Sequence, residues 1–218
     1  MIIEEIYEKY KIAPWLAEHM FRVTAVAVTI FDALGEKDGR DDLICAGLFH
    51  DLGNIVKFNF DTLQIAGDDD LSKWEEVKKE FISEYGESAH NATLSILKEM
   101  NVRQNIIDMI DGMSFTKSVE IAKESNIFLQ ILTYADMRVI PSGVGTLTER
   151  IEDMYKRYTD KHPKDSEKTK KGVEGMYLLE KKLFENLPIE PNEITEESIK
   201  KTIDSLKGFD ISSSINRI

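Results

Sequence analysis

The doublet His50-Asp51 closes the apolar run Leu43-Ile44-Cys45-Ala46-Gly47-Leu48-Phe49. An imidazole and a carboxylate side by side on an apolar helix are costly to bury unless something binds both. Two more groups of the same kinds stand in similar surroundings. His19 lies in Glu18-His19-Met20-Phe21-Arg22-Val23, and Asp136 in Leu132-Thr133-Tyr134-Ala135-Asp136-Met137-Arg138. Brought together, two imidazoles and two carboxylates make a site for a metal ion. Adjacent helical residues point about 100° apart, so His50 and Asp51 would reach one ion from either side. The ion would sit in a groove between their helix and those carrying His19 and Asp136, as in other bundle interiors. Taken singly, His19 also reads as a hydrogen-bonded core histidine, and Asp136 as a cap or ion-pair partner. The doublet weighs against these plainer readings, because it needs several partners at once.

Helices must position these groups, and the turn signals divide the chain into them. Pro14 suits a first helical turn, and Trp15, Leu16, Met20, Val23, Ala27, Ile30, Phe31 and Leu34 recur at helical spacing up to Gly35. Asp41 or Asp42 is expected to cap the next helix, which ends near Gly53. Residues 54–71 read as a loop, and Ser72-Lys73-Trp74-Glu75 as a capping box opening a helix that stops near Gly86. Further helices are expected over 87–100, 103–112, 118–125 and 127–139, the last capped by Asn126 and ended by Pro141 and Gly143. Thr146-Leu147-Thr148-Glu149 is a second capping box for a helix to about Thr159. After a polar linker, a long helix carries Val173, Met176, Tyr177, Leu179, Leu183, Phe184 and Leu187 along one side, a stripe for docking on the body or for a dimer seam. A last helix spans roughly 195–206, and the tail after Gly208 is expected to be mobile. No segment alternates at a two-residue period, so no sheet is expected. The fold class is all-α: a helical core over 1–145 and a helical extension over 146–218 packed on it.

Composition bounds the function. A chain of 218 residues buries one substantial core. A net charge of −12 works against binding a nucleic acid polymer. No apolar run approaches the ~20 residues of a membrane span. The N-terminus lacks a signal peptide's positive flank, and the single Cys45 fits a reducing compartment, so a cytoplasmic location is expected. A homo-oligomer remains open.

The pattern resembles the HD-domain superfamily of metal-dependent phosphohydrolases, which carry a histidine, a later His-Asp doublet and a distant aspartate. The matching stretches are His19-Met20-Phe21-Arg22-Val23, Ala46-Gly47-Leu48-Phe49-His50-Asp51-Leu52-Gly53 and Tyr134-Ala135-Asp136-Met137-Arg138, within roughly residues 12–141. The resemblance implies a helical bundle whose metal is held by His19, His50, Asp51 and Asp136. Two departures stand out. The nucleotidase branch has Glu three places after the doublet aspartate, where this chain has Asn54, which can hydrogen-bond a substrate or water but cannot act as a base. Branches with two metals add histidines before the last aspartate. His90 resembles the first of these, but the next, expected near Gly112-Met113, is missing. One ion is therefore expected, with His90 either supporting the site, binding a second ion, or serving as an ordinary histidine at a helix start.

The ligand set without thiolates suits Mn, Fe, Co, Ni, Zn or Mg, and two histidines argue against Mg as the tightest binder. A small phosphorylated substrate, a nucleotide among the candidates, is the partner the resemblance implies. Asp51 is the candidate to orient or deprotonate a water, and Asn54 to contact substrate or water. Arg22, three residues past His19, is the candidate cation for the phosphate, with Lys57 second. Arg138 points about 200° from Asp136 and is not expected at the site. The alternatives are an HD-fold regulatory protein that keeps the metal but has lost turnover, and a dinuclear-iron oxygenase, which needs more histidines than this chain has.

Overall fold

The computed structural model describes residues 1–60, 71–157 and 163–216. Eleven α-helices lie among them. They are α1 (Ile3–Lys9), α2 (Pro14–Ala33), α3 (Arg40–Phe49), α4 (Ser72–Tyr85), α5 (Ala89–Glu99), α6 (Gln104–Gly112), α7 (Ser118–Lys123), α8 (Ile127–Asp136), α9 (Leu147–Arg157), α10 (Glu167–Phe184) and α11 (Glu196–Lys207). The all-helical class is what the structure shows. A two-stranded antiparallel hairpin, β1 (Val139–Ile140) and β2 (Gly143–Val144), corrects the expectation of no sheet. Two residues per strand are too few to show any alternation in sequence.

Helix α2 is the axis of the bundle. Leu16, Met20, Phe21, Val23 through Val28, Ile30 and Phe31 are buried on nearly all its sides, because α3, α8 and α11 each pack against it. Pro14 takes its first position, where a missing N–H costs nothing. Helix α3 runs from Leu43 to Phe49 wholly buried. Gly47 lets α3 approach α2 closely: a Cβ there would stand 2.6 Å from Thr24 Oγ1 and 3.2 Å from Thr24 Cα.

Several local expectations are met and several are corrected. Asn126 accepts from the Leu129 amide as the cap of α8, and Thr146 and Glu149 exchange backbone and side-chain hydrogen bonds at 2.7 and 3.2 Å as a capping box. Helix α3 is preceded by Gly39 rather than capped by Asp41 or Asp42, and Asp42 instead pairs with Arg103 and accepts from Asn105. Leu71, not Ser72, is the cap of α4 and makes no side-chain cap hydrogen bond, and Ser72 is already the first helical residue, which corrects the expected box. Helix α3 ends at Phe49, short of Gly53, and residues 54–57 form a 3₁₀ turn. Asp61, Gly67 and Asp68-Asp69-Asp70 of the expected loop, and His162 of the linker, lie outside the described residues.

The C-terminal helices pack on the rest. Met176, Leu179 and Leu183 of α10 are buried on the side that meets α7 and α8, so its stripe docks on the body, while Tyr177 is exposed. Each such burial is worth roughly 1.5–3 kcal/mol. The tail after Gly208 is not free. Ile211 and Ser214 are buried, the Ile3 amide donates to Phe209 O at 3.1 Å, the Ile211 amide donates to Met1 O at 3.0 Å, and the Arg103 amide donates to Ser214 O at 2.9 Å. Polar composition hid these bonds, because they are made by the backbone. No described helix is long and apolar enough to cross a membrane.

Candidate metal centre

His19 projects from the second turn of α2, His50 and Asp51 leave the C-terminal end of α3, and Asp136 is the last residue of α8. The doublet thus sits where α3 unwinds, not within it. His50 is the helical C-cap and Asp51 opens the turn to the 3₁₀ segment, so the two side chains diverge. Gly53 holds that turn against α5. Its amide donates to Thr93 Oγ1 at 2.9 Å, and a Cβ would meet Ala89 O at 2.5 Å. This close packing is the physical reason for glycine two places after Asp51.

The four groups converge. His19 Nε2 is 3.1 Å from Asp136 Oδ1 and 3.6 Å from Asp51 Oδ2; His50 Nε2 is 3.8 and 3.7 Å from the same two atoms. One ligand atom each from His19, His50 and Asp51 lies within 4.8 Å of the others, a group able to hold a metal ion. Ligands about 2.1 Å from a shared ion stand roughly 3.0–3.4 Å apart, close to these separations.

The deciding observation is at His50. Its Nδ1 is 2.7 Å from Gly47 O, so that nitrogen carries the hydrogen. Its Nε2 is fully buried and has no hydrogen-bond partner, while it faces two carboxylates. A buried nitrogen with an unshared lone pair costs free energy unless a cation or a proton occupies it. The backbone bond also orients the ring as metal-binding histidines are oriented. The donor set therefore fits a divalent cation. In its absence a proton goes there: burial opposes the charge on His50, but Asp51 and Asp136 outweigh it and raise its pKa to about 9. Burial disfavours the charged form of Asp136 too, yet His19 at 3.1 Å and the nearby His50 imidazole hold its carboxyl well below the usual range.

The family model for the HD domain matches residues 16–138, more than half the chain. The chain belongs to the HD-domain family. No curated protein and no solved structure matches it. Members of this family are generally metal-dependent hydrolases, and the helical bundle of this HD-domain protein is the family's all-α fold.

The cluster opens into a cavity of about 180 Å³ lined by His50, Asp51, Asn54, Lys57, His90 and Thr133 on its polar sides. Asn54 is there because the 3₁₀ turn places it over Asp51, to whose Oδ2 its amide donates. Lys57 carries no ion pair among the described residues. Arg22 corrects the expectation of a phosphate-binding arginine. It does not line the cavity but meets α11, where Nε donates to Glu196 Oε1 at 2.8 Å, and Nη1 donates to Glu18 Oε2 at 3.1 Å. Helix α11, distant in sequence, supplies the stronger partner. Arg138 is away from the cavity, as expected, and is buried.

Sequence reasoning did not single out Thr133 or Asp111. Thr24 and Thr29 bond back to the carbonyls of Met20 and Ala25 in α2, at 2.7 and 2.8 Å. Thr133 lies one turn before Asp136, and its buried hydroxyl has no partner. Its position three before a candidate ligand was the available signal. Asp111 accepts from or donates to nothing but His90 among the described residues, at 2.7 Å. It adjoins Gly112, the neighbourhood where an imidazole was sought.

Proposed function

We propose that this HD-domain protein hydrolyses a phosphate ester in the cavity beside His19, His50, Asp51 and Asp136. The carrying observation is the orphaned, buried Nε2 of His50 facing two carboxylates. A divalent ion held by these four side chains supplies Lewis acidity, lowering the pKa of a water and offsetting charge on phosphoryl oxygens.

The chain's own groups do the rest. Asp51 Oδ2 accepts the proton of the attacking water, and Asn54 fixes that carboxylate's orientation by donating to it. Asn54 cannot replace Asp51 as base, since an amide does not accept a proton at neutral pH. Lys57, in place of Arg22, gives the cavity a cation for the phosphate. The Thr133 hydroxyl offers a substrate oxygen a hydrogen bond. Ile110, Met113 and Phe115 form an apolar wall for the organic part of the ester. At about 180 Å³ the cavity has room for a phosphoryl group and part of its ester.

Asn54 favours one other reading, an HD-fold binding protein that keeps its ion without turnover. The test is a panel of phosphomonoesters, phosphodiesters and nucleoside triphosphates, assayed with Mn, Co, Zn or Mg and after chelation. Chelation-sensitive release of phosphate supports the hydrolase. A protein that binds metal stoichiometrically yet turns over nothing on the panel contradicts it.

A further inference from the structure

The cavity has a second polar pole that the cation cluster does not use. His90 lines it from the first turn of α5, and Asp111, near the end of α6, holds the ring from outside. His90 Nε2 stands 2.7 Å from Asp111 Oδ1. An ionised carboxylate only accepts, so this nitrogen carries a hydrogen. Nδ1 is left as the ring's second pole, an acceptor in the neutral ring and a donor in the imidazolium. Asp111 orients the ring, as a carboxylate does for an imidazole that shuttles protons. The lining that His90 shares includes the apolar Ile110, Met113 and Phe115. An alkyl or aryl group fits beside these apolar residues, with the half-exposed His90 ring in the same lining.

We propose that His90, held by Asp111, protonates the leaving-group oxygen of the ester, and that the substrates are esters of poorly departing alcohols. This rests on the hydrolase reading above. Water adds its oxygen to phosphorus and gives one proton to Asp51. The bond from phosphorus to the alcohol oxygen breaks, and its electron pair stays with that oxygen, which takes the proton from His90 Nδ1. Asp51 and His90 then return to their starting states by one proton exchange with solvent. The products are the alcohol and inorganic phosphate. A role for His90 as ligand to a second ion is disfavoured by its surroundings. Among the described residues, the metal-competent group is His19, His50 and Asp51, and His90 has one carboxylate and no other ligand beside it.

The test compares the full-length protein with His90→Asn and Asp111→Asn on two substrates, and counts bound metal. One substrate is glycerol phosphate, whose alkoxide needs a proton to depart. The other is para-nitrophenyl phosphate, whose phenolate departs without one. His90→Asn is expected to lose at least about 100-fold on glycerol phosphate and less than about threefold on para-nitrophenyl phosphate. Asp111→Asn is expected to lose about tenfold on glycerol phosphate alone. Metal content stays at one ion per chain in all three. The falling limb of the wild-type pH profile on glycerol phosphate disappears in His90→Asn. Equal losses on both substrates overturn the proposal, because a structural defect does not distinguish leaving groups. A second ion in the wild type that is lost in His90→Asn also overturns it. Wild-type turnover of neither ester rejects the hydrolase reading itself, and the dyad's role falls with it.

Discussion

Helix α2 and the C-terminal end of α8 each bring one group to the metal cluster and have a scaffold guanidinium within three residues of it, and the two sets differ in how fully they are satisfied. On the cavity side, His19 and Asp136 meet His50 and Asp51, and the buried Nε2 of His50 is left without a partner. On the far side, Arg138 donates to the carbonyls of Gly145, Pro191 and Ile194 at 2.6–3.1 Å and to the Tyr134 hydroxyl at 2.7 Å. Arg22 is likewise held by Glu18 and Glu196. Both arginines sit within three residues of a candidate metal ligand, yet both are spent on structure. The lesson is that proximity in sequence does not mark function on a helix. Unmet hydrogen-bonding capacity in a buried place does.

That contrast is open to attack from both sides. The largest effect is expected from Asp51→Ala, which removes a ligand and the proposed base together. Turnover falls below detection and bound metal, counted by elemental analysis, is lost, whereas unaltered turnover removes Asp51 from the chemistry. On the scaffold side, Arg138→Met leaves two buried carbonyls and a part-buried one without their donor. Denaturant unfolding is expected to show a loss of about 3–5 kcal/mol, while the folded fraction keeps its metal.

A third expectation concerns pH. The His50 ring must be neutral to bind a cation, but without one it holds a proton up to about pH 9. Metal affinity therefore rises with pH, by up to about tenfold per unit, and flattens above about 9. Stability of the metal-free protein runs the other way. The raised pKa contributes stability that is fully present below the ordinary value of 6.5 and is lost as pH rises through about 9. Thermal melts with and without metal across this range check both signs, and a metal affinity that does not change with pH contradicts the assignment of His50. The smallest effect is expected from Arg22→Gln. Arg22 is partly exposed, so its pairs are worth about 1 kcal/mol at most, and turnover stays within about twofold of the wild type. A large loss of turnover would return Arg22 to the phosphate.

The quartet was legible in the sequence because each member is a polar group in an apolar segment, an arrangement that burial makes expensive. The helices were legible from spacing and from caps such as Asn126 and Thr146. What stayed hidden depends on contacts between distant segments. The partner of Arg22 lies 174 residues away, and the tail is fixed by backbone bonds to Met1, Ile3 and Arg103 that no side-chain pattern encodes. Asp111 was overlooked because a carboxylate stands where an imidazole was sought. The end of α3 at Phe49 follows from a turn held against α5 through Gly53, and a helix-by-helix reading of spacing misses that packing.

The most direct measurement is an anomalous-scattering map from crystals of this protein grown or soaked with Mn or Zn. The account predicts a single strong peak within about 2.0–2.3 Å of His19 Nε2, His50 Nε2 and carboxylate oxygens of Asp51 and Asp136. A fully loaded crystal with no peak between those side chains, or with its ion bound elsewhere, would contradict it.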